Sequence, residues 1–207
     1  MSISPKKNEY PAKLLILGDQ GVGKTCIMIR FSDDLFPEHS TMTVGVDYKT
    51  KRVKVDDIEI KLTIWDTAGQ EKYRSLAQNL YKGTMGIILV FDLTNKTTFD
   101  NLRNWIRQIR KNTDENVCKL IMGNKADSPN KQVTREMVME LVEEFDITYF
   151  EVSAMTGENV PNAFLNITKK ILNEFYANIK SDQKSENKPF TLNPTRTDDH
   201  ASGCCGS

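Results

Sequence analysis

Short apolar runs alternate along this chain with stretches in which apolar residues recur every three or four positions. Residues 12–17, where Leu14-Leu15-Ile16-Leu17 is stopped by Gly18, read as a buried strand, because an unbroken short run suits a sheet covered on both faces. Residues 24–32 place Ile27, Met28 and Phe31 at helical spacing before Asp33-Asp34 break the pattern. Residues 47–55 and 58–65 alternate around Asp56-Asp57, which predicts a β-hairpin with one half-exposed face. A weak helical pattern covers 72–82, and 86–91 is a second buried strand. A helix over 98–112 follows, with Phe99, Leu102, Trp105, Ile106 and Ile109 on one stripe. Strand 119–122, helix 134–144, strand 149–152 and helix 160–179 complete the pattern. Strands alternating with helices, without a repeat, predict an α/β domain. It would have about six strands, mostly parallel with one antiparallel, and helices on both faces.

Two regions break the periodicity. Residues 35–46 form a long loop containing Pro37, Ser40, Thr41, Thr43 and Gly45, and a loop of that length in a compact domain is more often functional than not. After Lys180 the chain is polar and nearly devoid of large apolar residues, so 180–207 is expected to be a disordered tail. Residues 1–10 are expected to be flexible, which leaves 11–179 as one domain.

Composition narrows the partners. Lys+Arg and Asp+Glu are equal at 28 each, so no global charge draws the chain to nucleic acid or anionic lipid. The first residues lack the apolar core of a secretion signal, and Ser2 stands where myristoylation needs glycine, so synthesis in the cytosol is expected. Cys26 and Cys118 lie within patterned segments and read as buried thiols acting as small hydrophobes, whereas Cys204 and Cys205 stand near the end of the chain.

The candidate chemistry begins at Gly18-Asp19-Gln20-Gly21-Val22-Gly23-Lys24-Thr25, which fits G-x-x-x-x-G-K-[ST] between a strand and a helix. Gly21 and Gly23 let successive N–H groups point inward, and the helix adds the positive end of its dipole, making a phosphate cradle. Lys24 would reach the β- and γ-phosphates and the Thr25 hydroxyl one Mg²⁺ position. Ligands in such folds lie beyond the carboxyl ends of the strands, where Asp66, Asn124 and Ser153 are expected. Asp66 matches a Walker-B acid that would hold Mg²⁺.

Asn124-Lys125-Ala126-Asp127 is a base selector. A carboxylate at Asp127 can accept from guanine N1–H and the exocyclic amine, whereas adenine leaves it without donors. Lys125 would lie along the ring, and Asn124 would tie this loop to the cradle. Ser153-Ala154 either gives a backbone N–H to guanine O6 or is a plain turn. Phe36 either covers the guanine edge or is a core aromatic beneath the loop.

These motifs, with Val44-Gly45-Val46-Asp47-Tyr48, Lys61 to Glu71, Tyr73-Arg74-Ser75, Tyr81-Lys82-Gly83 and Leu89 to Thr94, resemble the small GTPases of the Ras superfamily. Within it the chain is similar to the Rab family, over about residues 11–178 and at the terminal cysteines. The resemblance implies a P-loop small G domain that binds GTP or GDP with Mg²⁺ and hydrolyses GTP, slowly unless an activating protein helps. Asp19, Gln20, Gly21, Val22, Gly23, Lys24, Thr25 and Cys26 would cradle the nucleotide. Thr43 would contact Mg²⁺ and the γ-phosphate, the Gly69 N–H would bond that phosphate, and Gln70 would orient the attacking water. Loss of both contacts on hydrolysis would release segments 36–48 and 67–82 together. Val44, Tyr48, Trp65, Tyr73 and Leu80 would form the effector surface.

Cys204 and Cys205 would carry two geranylgeranyl chains, enough for stable anchoring without a polybasic run; a free or palmitoylated thiol pair is the alternative. The implied partners are an exchange factor, an activating protein, a GDP-dissociation inhibitor, an escort protein with geranylgeranyltransferase, and effectors, around a monomer that binds no nucleic acid. The implied place is the cytoplasmic face of intracellular membranes, with a cytosolic inhibitor-bound pool, and the implied role is vesicle traffic.

Three positions depart from the family pattern. Gln20 replaces the usual Ser or Gly beside the γ-phosphate, where a long side chain would crowd Gln70 and slow hydrolysis, leaving a GTP-held scaffold as the alternative function. Met155 replaces Lys, yet can still pad the base. Leu80 replaces a Tyr of the aromatic effector triad.

Overall fold

A computed structural model describes residues 9–37, 46–67 and 80–177. Residues 1–176 and 177–207 are separate units, and every element named here belongs to the first. Its strands are β1 (Glu9–Leu17), β2 (Val46–Val55), β3 (Ile58–Thr67), β4 (Gly86–Asp92), β5 (Cys118–Asn124) and β6 (Thr148–Glu151). They form one six-stranded sheet in the order β2-β3-β1-β4-β5-β6. The β2–β3 pairing is antiparallel and the remaining pairings are parallel. The mostly parallel sheet with one antiparallel strand is therefore what the chain forms. Its helices are α1 (Lys24–Asp33), α2 (Lys96–Asp100), α3 (Leu102–Asn112), α4 (Arg135–Phe145) and α5 (Val160–Phe175).

Period-two alternation in β1 divides the core. Leu15 and Leu17 join Ile87, Leu89, Phe91 and Ile121 on one face, beneath Leu102, Ile106 and Ile109 of α3 and Val138 and Leu141 of α4. Leu14 faces the other way, where a Cβ on Gly86 would come within 2.6 Å of Leu14 and 2.9 Å of Ile171, so α5 lies directly on the strand there. Phe31 of α1 stacks on Phe164 of α5 at 3.8 Å, closing that second layer. Each such large side chain contributes about 1.5–3 kcal/mol by leaving water. With helices on both faces, polar ligands are left the edge where the parallel strands end.

Several expected boundaries move. Glu9 and Tyr10, expected in the flexible amino terminus, pair with Glu59 and Ile60 in the sheet. The single helix expected over 98–112 is two, because Asn95 accepts from the Thr97 N–H and starts α2 early, and Asn101 separates α2 from α3. The last helix ends at Phe175, short of 179. Asp66 and Asn124, expected just beyond their strands, are still in the ladder, opposite Ile16 and Asp92. Cys26 is buried as expected, whereas Cys118, at the start of β5, is half-buried. Of the weak helix expected over 72–82, only 80–82 lie among the described residues, with Leu80 and Tyr81 helical.

Candidate functional site

The phosphate cradle grows out of the β1–α1 junction. Gly23 takes a left-handed φ of 94° as the N-cap of α1, and no side chain caps that end, where the positive end of the helix dipole favours an anion. Lys24 is buried and its ammonium donates to the carbonyls of Gly18 (2.9 Å) and Asp19 (2.8 Å). Burial lowers its pKa to about 8, an effect that the nearby carboxylates of Asp66 and Asp19 partly offset.

Asp66 is fully buried at the end of β3. Its Oδ2 accepts from the Thr25 hydroxyl, and its Oδ1 has no hydrogen-bond partner among the described residues. Burial pushes its pKa up, against the Thr25 hydrogen bond and the Lys24 charge. An orphaned buried carboxylate oxygen beside a hydroxyl is costly unless something positive meets it, so the pair fits a hard cation that takes oxygen ligands. Among the described residues no group of three or more His, Cys, Asp or Glu is placed to hold a metal ion.

The loops expected to select the base stand at the ends of β5 and β6. Asn124 is buried; its amide donates to Val22 O (2.8 Å) and accepts from the Ala154 N–H (3.1 Å). It thus ties Asn124-Lys125-Ala126-Asp127 both to the cradle and to Ser153-Ala154-Met155. Lys125 adopts φ 66°, and its ammonium pairs with Asp92. Asp127 is exposed and accepts a hydrogen bond from the Ser153 hydroxyl. The backbone N–H groups of Ser153 and Ala154 both have partners within the protein. Ser153 N–H donates to Glu158 O (3.1 Å) and Ala154 N–H to Asn124, because the turn closes on itself and on β5.

Phe36 is exposed, so it is not a core aromatic, and Met155 is exposed as well. Cys26 lies in the first turn of α1, where burial raises its thiol pKa. On the face expected to meet effectors, Tyr48 stacks on Trp65 at 5.1 Å, and the Lys13 ammonium lies 5.5 Å from the Trp65 ring centroid. Leu80, like Trp65, is half-buried and packs against the core. Thr43, Val44, Gly69, Gln70, Tyr73, Cys204 and Cys205 lie outside the described residues.

Three anchors escaped the sequence reading. Asp19 accepts from the Trp105 indole N–H (2.8 Å) and the Asn101 amide (2.7 Å), fixing the cradle to α3. Asp92 is buried, accepts from the Thr94 N–H (2.8 Å) and hydroxyl (2.7 Å), and holds Lys125. Arg30 bonds the loop after β6. The Asp92-x-Thr94 spacing of an Asx turn was the one local signal among them.

Comparison with known proteins agrees with this geometry. The model of the Ras family matches residues 13–173. The chain is 40% identical to the Ras-related protein RABE1d of Arabidopsis thaliana, over 98% of this chain and 94% of that protein. It is 40% identical to the Ras-related protein RAB1BV of Beta vulgaris, over 96% and 94%, and 46% identical to the Ras-related protein Rab-8A of Rattus norvegicus, over 80% and 81%. By the family match over residues 13–173 and these identities over most of its length, the chain belongs to the Ras family of small GTPases, among the Rab-type members.

Proposed function

We propose that this chain is a switch that cycles between GDP- and GTP-bound states, hydrolyses GTP, and recruits effectors at the cytoplasmic face of intracellular membranes to regulate vesicle traffic. The observation that carries the reading is Asn124, whose one amide joins the phosphate cradle to both base-selecting loops and so makes them a single site. Lys24 and the first-turn N–H groups would take the phosphates, with Gly21, Val22, Gly23 and Cys26 supplying backbone. Asp127, steadied by Ser153, would accept from guanine, with Lys125, Phe36 and Met155 against the base. Thr25 and Asp66, together with Thr43, would hold Mg²⁺. When bound, the ion neutralises charge on the β- and γ-phosphates.

Gln70 would orient water, and an arginine from an activating protein would add about 10³ to 10⁵ in rate. Thr43 and Gly69, released with the γ-phosphate, would free their segments and change what the surface around Val44, Tyr48, Trp65, Tyr73 and Leu80 presents. Two prenyl chains on Cys204 and Cys205 would hold the protein on the membrane, and a dissociation inhibitor would keep a cytosolic pool. Residues 11–179 would act as the G domain and 180–207 as the tether.

The test is nucleotide titration followed by phosphate release with and without an activating protein. Guanine nucleotides are expected to bind and adenine nucleotides not; preferential ATP binding would overturn the reading. Stimulated turnover would exclude the GTP-held scaffold that Gln20 suggests. In single-turnover assays Gln20→Ser is expected to speed hydrolysis.

A further inference from the structure

Arg30 of α1 directs its guanidinium at the backbone of the loop after β6. Nε donates to Ala154 O (2.9 Å) and Nη2 to Met155 O (2.8 Å), across 124 and 125 residues of chain. Nη1 donates to the Asp34 carbonyl (2.9 Å) and reaches its carboxylate at 3.3 Å. The side chain is only 16% exposed, and a Cβ on Gly157 would stand 3.4 Å from its Cδ. A planar fork of fixed donors matches two successive carbonyls in a way that one ammonium does not.

The segments it joins all bear on one ligand. The Ala154 N–H donates to Asn124, and the preceding Ser153 hydroxyl donates to Asp127. Asp34 closes α1 in a left-handed conformation, and Leu35 and Phe36 follow it. The same helix opens with Lys24 and Thr25. Capping the carboxyl end of α1 would account for the Asp34 contacts, but not for two bonds to a loop at the far end of the sheet order.

We propose that Arg30 is a positioning residue for base recognition. It fixes the Ala154 and Met155 carbonyls, and through Ser153 it keeps Asp127 aimed at the exocyclic amine of guanine. Nucleotide residence and base discrimination then depend on a side chain that acts through its neighbours. The inference rests on the guanine-nucleotide reading.

The test uses the full chain with Arg30→Ala and Arg30→Lys, comparing release of GDP with release of IDP, which lacks the exocyclic amine. Arg30→Ala is expected to speed GDP release by about tenfold or more and Arg30→Lys by less. The ratio of IDP to GDP release rates should also narrow, because a displaced Asp127 loses most where the amine was. A general loss of stability would speed both releases equally; an unchanged ratio, or GDP release at the wild-type rate, overturns the proposal. If Arg30→Ala does not fold, the same ratio for Arg30→Lys decides.

Hydrogen exchange on nucleotide-free protein supplies a second readout. The Ala154 and Gly157 amides should lose protection in the variants while β4 does not, and unchanged protection at Ala154 would overturn the proposal. Failure of the wild type to bind GDP would instead sink the guanine reading, and the exchange experiment would still decide whether Arg30 holds the loop.

Discussion

The two ends of the candidate site are built by different physics. At the phosphate end Lys24 and Asp66 are sunk into the core, carried by the start of α1 and the end of β3, so burial places them. At the base end Asp127 and Met155 are exposed, and side-chain hydrogen bonds place them: Ser153 donates to Asp127, Arg30 donates to the Met155 carbonyl, and Asn124 accepts from the neighbouring Ala154 N–H. A group placed by burial is costly in itself and is kept for its charge. A group placed by cross-links is cheap in itself and is kept by its neighbours. Loss should therefore be abrupt at the first end and graded at the second.

The sharpest break is Lys24→Met. Removing a buried ammonium that would meet two phosphates should weaken nucleotide binding by about a hundredfold or more in equilibrium titration. The nucleotide-free protein should melt no lower than wild type, since burial already disfavours that charge. A large fall in melting temperature would contradict the distinction.

Gly23→Ala strikes both ends together. Its Cβ would stand 2.3 Å from Asn124 Nδ2 on a backbone with φ 94°, which adds about 1–2 kcal/mol of strain and pushes away the amide that joins the loops. GDP release and chemical denaturation should both change. Asp92→Asn should act only on the base end. It removes the buried charge opposite Lys125 while leaving an acceptor for the Thr94 N–H and hydroxyl, so GDP release should rise about threefold.

The smallest effect lies away from both ends. Burial, with Glu174 nearby, pushes the Cys118 thiol from 9.0 up to about 11. Its alkylation, followed by peptide mass spectrometry, should be slow at neutral pH and rise toward pH 11. Because the folded protein holds this proton more tightly than the unfolded chain, the small stabilisation is complete below about pH 9 and fades as pH climbs to 11.

Much of this was readable from local pattern. The apolar runs at 14–17 and 86–91 marked central strands because both faces of a parallel sheet are buried, and G-x-x-x-x-G-K-T and N-K-x-D name their chemistry at short range. The helix expected over 98–112 is two because its apolar stripe runs on through Asn101, while a polar cap at Asn95 and the break at Asn101 set the true ends. The partners of the Ser153 and Ala154 N–H groups are not legible in the sequence, because Glu158 is reached only when the loop turns back on itself and Asn124 only once β5 and β6 pair.

Residue order alone determined the strand and helix alternation and named the G-x-x-x-x-G-K-T and N-K-x-D motifs, since each depends on side chains a few positions apart. Only the folded chain decided that Trp105 and Asn101 grip Asp19, that Asp92 steadies Lys125, and that Arg30 clasps the loop after β6. Those bonds join residues 33 to 125 positions apart, and directional hydrogen bonds at such separations exist only once the sheet has brought their helices and loops together.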